Sequence, residues 1–215
     1  IYPKKSNEVN LETYRIEYGY LPQQEFKAIV RQIKKGDLAI FPTDSVYTLA
    51  CALSAKDSIK RLCKLVGKKS EQAQLSIICN DFSMISDFTV HFSTSNFRSM
   101  KAALPGPYTF ILNADKNQTK HWENKRKTIG VRIPNQDFLL ELIGQIGEPL
   151  ICSSLHSEDE LKSYFTEPEN IEQQYKNTID LFVEDGAGGT EPSTVVDCTG
   201  DYPELIREGM GTWPL

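Results

Sequence analysis

Phe41-Pro42-Thr43-Asp44-Ser45-Val46-Tyr47 continues directly from the apolar run Leu38–Phe41. The run reads as a buried strand. Pro42 cannot donate to a ladder and restricts the residue before it, so the strand stops there. Hydroxyl, carboxylate, hydroxyl and aromatic groups follow within the next few positions. Polar side chains at the end of a buried strand are where α/β folds commonly place chemistry.

Three further strand ends carry similar groups. Arg132 lies in Gly130-Val131-Arg132-Ile133-Pro134. An arginine inside an apolar strand is costly unless it meets a carboxylate, such as Asp44 or Asp197, or an anionic ligand. Ser153, Ser154 and His156 leave the run Leu150–Ser154. Serine beside histidine invites a hydrolase reading, but no Gly-x-Ser-x-Gly elbow supports it. Ser193 and Thr194 enter the run Thr194–Asp197, with Arg207-Glu208-Gly209 shortly after. Such a hydroxyl pair reads equally well as a cap or turn.

Outward from these ends, helices and strands alternate without strict regularity. Phe26, Ile29, Val30 and Ile33 follow helical spacing up to Gly36, and Ile59, Leu62, Cys63 and Val66 up to Gly67. Residues 93–103 read as a helix stopped by Pro105-Gly106-Pro107. Asn135 is the expected N-cap of a helix carrying Phe138, Leu139, Leu142 and Ile143. Pro168–Tyr175 reads as a further helix. Expected strands are Leu75–Cys79, Tyr108–Leu112, Ile129–Ile133, Leu150–Ser154, Ile179–Val183, Thr194–Asp197 and Leu205–Arg207. This order fits α/β architecture with a twisted mixed sheet and flanking helices better than a doubly wound fold. Residues 1–21 read as an arm or edge strand, and residues 22–215 as one domain.

The bulk numbers narrow the function classes. The chain has 215 residues, 40% hydrophobic and 25% charged, with net charge −5. It is not a nucleic-acid coat as a whole. No apolar run approaches the ~20 residues of a membrane span, and no signal peptide is visible. Cys51, Cys63, Cys79, Cys152 and Cys198 are dispersed, odd in number and mostly in apolar runs. They are expected to be reduced, buried thiols of a cytoplasmic protein, with no CxxC pair to suggest a zinc site. Lys68-Lys69 follow Gly67, and Lys120 and Lys125-Arg126-Lys127 precede the Arg132 strand. They form either a solvated face or, if they converge with the strand ends, a basic concave site suited to nucleotide phosphates. There is no Gly-x-x-x-x-Gly-Lys-Ser/Thr loop and no Gly-x-Gly-x-x-Gly, so any ATP is held without either cradle.

Pro-Thr-Asp-Ser-Val-Tyr (42–47), Leu-Pro-Gly-Pro-Tyr-Thr (104–109), Gly-Val-Arg-Ile-Pro (130–134), Pro-Ser-Thr-Val-Val-Asp (192–197) and Arg-Glu-Gly (207–209) together resemble the motifs of the YrdC-type L-threonylcarbamoyladenylate synthases, in order and spacing. The resemblance runs from near residue 20 to the end of the chain. It implies a single α/β domain around a basic concave cavity, without a second domain. It also implies a nucleotidyltransferase that joins L-threonine, bicarbonate and ATP, with Mg2+, into threonylcarbamoyl-AMP and pyrophosphate for tRNA adenosine modification. Arg132 and Thr43 would be the catalytic residues. Thr43, Tyr47, Thr109 and Arg132 would hold threonine. Lys68, Lys69, Ser153, Ser154, His156, Ser193, Thr194 and Arg207 would hold the nucleotide. No metal-ligating residues are implied.

Two departures from the family pattern stand out. Gly67-Lys68-Lys69-Ser70 replaces the usual Lys-x-Arg-Pro, with Gln74 at a following proline, and Ser154-Leu155-His156 replaces Ser-x-Asn. Lysine lacks arginine's bidentate fork, and histidine adds a titratable charge. The departures resemble the YciO-like branch, and the expected activity is weak. The alternative reading is a nucleotide- or double-stranded-RNA-binding module without turnover, since such RNA is read largely by shape and backbone charge.

Overall fold

The computed structural model of the chain describes residues 11–67, 75–116, 127–155 and 165–214. The strands are β1 (Glu12–Arg15), β2 (Ala39–Phe41), β3 (Thr48–Ala52), β4 (Ser76–Ile78), β5 (Tyr108–Asn113), β6 (Thr128–Arg132), β7 (Leu150–Ser154), β8 (Leu181–Glu184), β9 (Thr194–Asp197) and β10 (Glu204–Arg207). The helices are α1 (Gln23–Lys35), α2 (Lys56–Leu65), α3 (Phe82–Phe88), α4 (Thr94–Ala103), α5 (Asp137–Ile146) and α6 (Pro168–Tyr175).

All these strands join one sheet in the order β1-β8-β2-β3-β7-β4-β6-β5-β9-β10. The pairs β1–β8, β2–β8, β4–β6 and β5–β9 are parallel, and the other neighbours are antiparallel. The sheet is therefore mixed, as the irregular alternation of elements implies. β1 forms one edge and β10 the other.

Local signals set the helix ends. Gly36 closes α1 at φ +100°, with its N–H returning to the last turn, a backbone state in which glycine has no Cβ penalty. Asp81 and Ser93 cap α3 and α4 by accepting the N–H of Met84 and Asn96. The cap of α5 is Gln136, whose side chain accepts the Phe138 N–H. This corrects the expectation for Asn135, whose own N–H is drawn to Asp44 Oδ2 at 2.7 Å. The sequence reading also missed β3 and α3. Every residue of β3, Thr-Leu-Ala-Cys-Ala, is buried, so no polar alternation marks it. α3 is short and buries only Ile85.

Two apolar layers sandwich the sheet. Ile40, Leu49, Ile77, Phe110, Val131 and Ile151 face a core that includes Leu62 of α2, Ile85 of α3, Met100 of α4 and Ile171 of α6. On the opposite face, Ala39, Ala50, Cys152 and Leu181 meet Ile29 and Ile33 of α1 and Leu139, Leu142 and Ile143 of α5. The register extends this second face as one row: Leu181, Ala39, Ala50, Cys152, Ser76, Gly130 and Ile111 are successive partners across β8, β2, β3, β7, β4, β6 and β5. The row begins under α1 and α5. It ends as the floor of a cavity.

Candidate functional site

The cavity has a volume of about 440 Å³, within the range of small-molecule sites. Ser76, Ile111, Gly130 and Cys152 of the row line it, together with Thr109, Arg132, Ser154, Ser193 and Arg207. Among the described lining residues, Arg132 and Arg207 are the charged groups, and no carboxylate joins them. The field there favours an anion. A Cβ on Gly130 would overlap Ser76 Oγ and come within 3.1 Å of Thr109 Cγ2. Glycine in this strand keeps the floor low.

Arg132 is the last residue of β6 and is 3% exposed. Its Nη2 donates to Asp44 Oδ1 at 3.2 Å and to Ser45 Oγ at 2.9 Å. Asp44 and Ser45 sit in the turn between β2 and β3, so two segments far apart in sequence are tied at the cavity wall. Among the described residues, Arg132 Nε has no hydrogen-bond partner, and it is buried. An unsatisfied buried donor on a charged group is expensive, and it leaves part of the guanidinium charge uncompensated beside the cavity. Arg61 offers the contrast. It grips both oxygens of Asp180 and the Thr178 carbonyl in a closed structural fork.

Burial raises the Asp44 carboxyl above its ordinary range, although Arg132 and the Asn135 N–H pull the other way. Both carboxyl oxygens accept hydrogen bonds, the arrangement suited to the ionised form.

At the other end of the cavity, Thr109 and Ser193 share a buried 2.7 Å hydrogen bond. Arg207 Nη2 donates to the Ser193 carbonyl at 2.8 Å. Gly209 has no room for a Cβ against Pro192 and Ser193, which lets the segment after β10 lie close to the start of β9.

The expected site residues fall into groups. Thr109, Arg132, Ser153, Ser154, Ser193 and Arg207 border one cavity. Ser153 pairs with Leu49, so strand alternation sets its side chain opposite those of Cys152 and Ser154. Thr43 is not among the residues lining this cavity. Its hydroxyl donates to the Val46 carbonyl and contacts Ser45 Oγ at 3.1 Å. Thr194 alternates with the lining residues Ser193 and Val195 and is engaged behind them, accepting the Gly209 N–H and donating to the Gly211 carbonyl. Tyr47 is 1% exposed; its hydroxyl donates to the Gly186 carbonyl and accepts the Asp185 N–H. Burial pushes its pKa up to about 12. Its ring leaves no space for a side chain at Gly188. Lys68, Lys69 and His156, like Lys120, Lys125 and Arg126, lie outside the described residues.

Sequence reasoning named Ser45 only as one of the polar groups at the first strand end, and did not single out Ser76 or Gly130. A serine after Asp44 and a glycine inside a strand were the available signals. Elsewhere, all five cysteines are free and buried. Among the described residues, no group of three or more His, Cys, Asp or Glu could hold a metal ion. Among the same residues, no helix is long and apolar enough to cross a membrane.

With this geometry in place, the chain was compared with known proteins. The family model Sua5_yciO_yrdC, described as telomere recombination, matches residues 31–209. The uncharacterized protein YciO of Escherichia coli K12 is 35% identical over 194 residues, covering 88% of this chain and 92% of YciO. A crystal structure of E. coli YciO superposes with a TM-score of 0.83 at 30% identity, over 95% of this chain and 98% of that one. The threonylcarbamoyl-AMP synthase of Vibrio vulnificus YJ016 is 25% identical over 186 residues, 84% of this chain and 96% of the synthase. Pyrococcus abyssi Sua5, in a crystal structure with L-threonine, has a TM-score of 0.78 over 93% of this chain and 57% of that one. At 22% identity, that last likeness is one of fold.

Proposed function

The chain belongs to the Sua5/YciO/YrdC family, and from that premise we propose that its cavity binds ATP and L-threonine and joins them, with bicarbonate, into threonylcarbamoyl-AMP. One observation carries this reading: a buried arginine, pinned by Asp44 and Ser45, lines a cavity that holds a second arginine and no described carboxylate. Such a group is built to receive an anion, because it is already desolvated and oriented before the anion arrives.

The chemistry balances as follows. The threonine amine attacks the bicarbonate carbon, forming a C–N bond and releasing water, and leaves an N-carboxylate. That carboxylate attacks the α-phosphorus of ATP. An O–P bond forms, the bond to the β-phosphate bridge breaks, and pyrophosphate leaves. Negative charge is present throughout, so fixed positive charge serves both reactants and the transition state. Arg132 would hold the threonine-derived carboxylate. Thr43 would act through Ser45 rather than by touching substrate. Ser154, Ser193, Thr109 and Arg207 would line the nucleotide side. Mg2+ would arrive with the ATP phosphates. The setting is a cytoplasmic protein acting on a tRNA-modification substrate.

The test is pyrophosphate release from ATP, measured with threonine and bicarbonate present together and each omitted in turn. Release that needs all three supports the proposal. Release that ignores threonine overturns it. A protein that releases none, yet binds double-stranded RNA with affinity falling steeply with salt, would favour the binding module instead.

A further inference from the structure

We propose that Asp44 is a positioning residue: it fixes the Arg132 guanidinium in the cavity wall, where its charge meets the anionic part of the substrate, an inference that rests on the reading of Arg132 given above. The geometry is specific. Asp44 is the carboxylate bonded to Arg132 among the described residues, and its side chain is 9% exposed. Its two oxygens do different jobs. Oδ1 takes Nη2 at 3.2 Å, and Oδ2 takes the Asn135 N–H at 2.7 Å. Asn135 lies just beyond Ile133 and Pro134 at the end of the Arg132 strand. One carboxylate therefore holds both the charge and the backbone turn that follows it.

A directed hydrogen-bond chain supports the other side. The Thr43 hydroxyl has one proton, and it goes to the Val46 carbonyl at 2.7 Å. In the 3.1 Å contact with Ser45, the Ser45 hydroxyl must then be the donor. Ser45 Oγ is left to accept from Arg132 Nη2 at 2.9 Å. The order runs Arg132 to Ser45 to Thr43 to the Val46 carbonyl, and it ends on backbone. Thr43 also accepts the Ser45 N–H at 3.1 Å, which closes the turn. Both Nη2 protons are consumed on the wall side, while Nε is buried with no partner among the described residues. Gly189 packs against the Ser45 carbonyl with no room for a Cβ, and its N–H donates to that oxygen at 2.9 Å. The β2–β3 turn is thus backed from behind.

An amide cannot replace this carboxylate. Asparagine offers one acceptor oxygen and one NH2, so it can serve Arg132 or the Asn135 N–H but not both. Asp44→Asn should free the guanidinium to rotate while keeping side-chain volume. The measurement is proton exchange at Arg132 Nε–H by 15N–1H NMR, with the signal assigned by its loss in Arg132→Lys. Asp81→Ala, which removes the α3 cap and does not belong to the cavity lining, serves as the control for general destabilisation. Asp44→Asn should speed exchange at least tenfold beyond that control. Kinetics give a second arm. The threonine KM should rise about 10- to 100-fold, the range for losing a hydrogen bond to a charged group, with the ATP KM little changed. In an Arg132→Lys background, Asp44→Asn should add less than twofold, because its effect passes through the guanidinium. Exchange no faster than in Asp81→Ala, or an undiminished effect in the Arg132→Lys background, overturns the proposal. If the native protein does not use threonine, the functional reading fails, and the exchange arm, with pyrophosphate as the anion probe, still decides the role of Asp44. Should Asp44→Asn not fold, Asp44→Glu keeps both acceptors but displaces them. It is expected to shift the Nε–H resonance, and an unshifted resonance overturns the proposal.

Discussion

Leu181, Ala39 and Ala50 lie on one side of Cys152 in the cross-sheet row, and Ser76, Gly130 and Ile111 on the other. The two halves share a sheet, a face and a register. Under α1 and α5 the residues are apolar, with Ala39 and Ala50 small, and buried helical side chains such as Ile33 and Leu142 close over them. Beyond Cys152, Ser76 and Gly130 are small, and hydroxyls and arginines surround them instead. Small residues let something approach closely in both halves. Polarity decides whether that is a helix or a ligand, because an apolar helix stripe cannot compensate the charges of Arg132 and Arg207, whereas an anion can.

The two halves should separate under mutation, with the largest effect on the open side. Arg132→Ala is expected to lower threonine-dependent pyrophosphate release by roughly 10²-fold, as for loss of one preorganised donor. It should also unmask Asp44 as a buried unpaired charge, costing about 3–5 kcal/mol of stability by denaturant titration. A two- or three-fold loss of rate would make Arg132 structural. On the closed side, Leu142→Ala should cost about 2–5 kcal/mol and leave the KM values of the folded enzyme unchanged. A shifted threonine KM would show that the halves are not independent.

Gly130→Val tests the floor itself. The new side chain overlaps Ser76 Oγ and crowds Thr109, so about 1–3 kcal/mol of stability is expected to go, with ATP or threonine affinity falling alongside. Retained affinity would move the ligand away from this floor. Smaller still is a pH effect. Burial raises the Asp44 carboxyl, so the folded state binds that proton more tightly than the unfolded chain. Its stabilising contribution is complete below the ordinary aspartate range and is lost as pH rises through the folded value. The stability difference between the native protein and Asp44→Asn should therefore shrink from acid pH upward. A difference that grows with pH would mean that Arg132 outweighs burial. Least visible should be the thiols. Burial pushes Cys51 to about 12 and Cys152 to about 11, so alkylation should be slow in the native protein and reach all five cysteines only in denaturant.

Much of the architecture was legible because periodicity records burial directly. The α1 stripe of Ile29 and Ile33, its Gly36 stop, and the strands Leu150–Ser154 and Thr194–Asp197 all stand where their spacing places them. β3 was not legible, because a strand buried on both faces shows no alternation. Within the site, the residue types at the strand ends were visible, but their directions were not. Tyr47 and Thr194 belong to the same motifs as Ser45 and Ser193, yet they bond to the Gly186 and Gly211 carbonyls rather than line the cavity.

By itself the sequence determined most of the strands and helices, though not β3 or α3, which strand ends carry polar groups, and that Arg132 needed a negative partner. Each of these follows from local spacing or from the cost of burying one charge. Only the tertiary structure decided that the partner is Asp44 rather than Asp197, with Nε unpaired among the described residues. Only it decided that one half of a sheet face is roofed by helices while the other stays open. Those outcomes depend on strand order and register, which bring residues from distant segments into one row. A one-residue slip would turn every side chain of a strand to the other face.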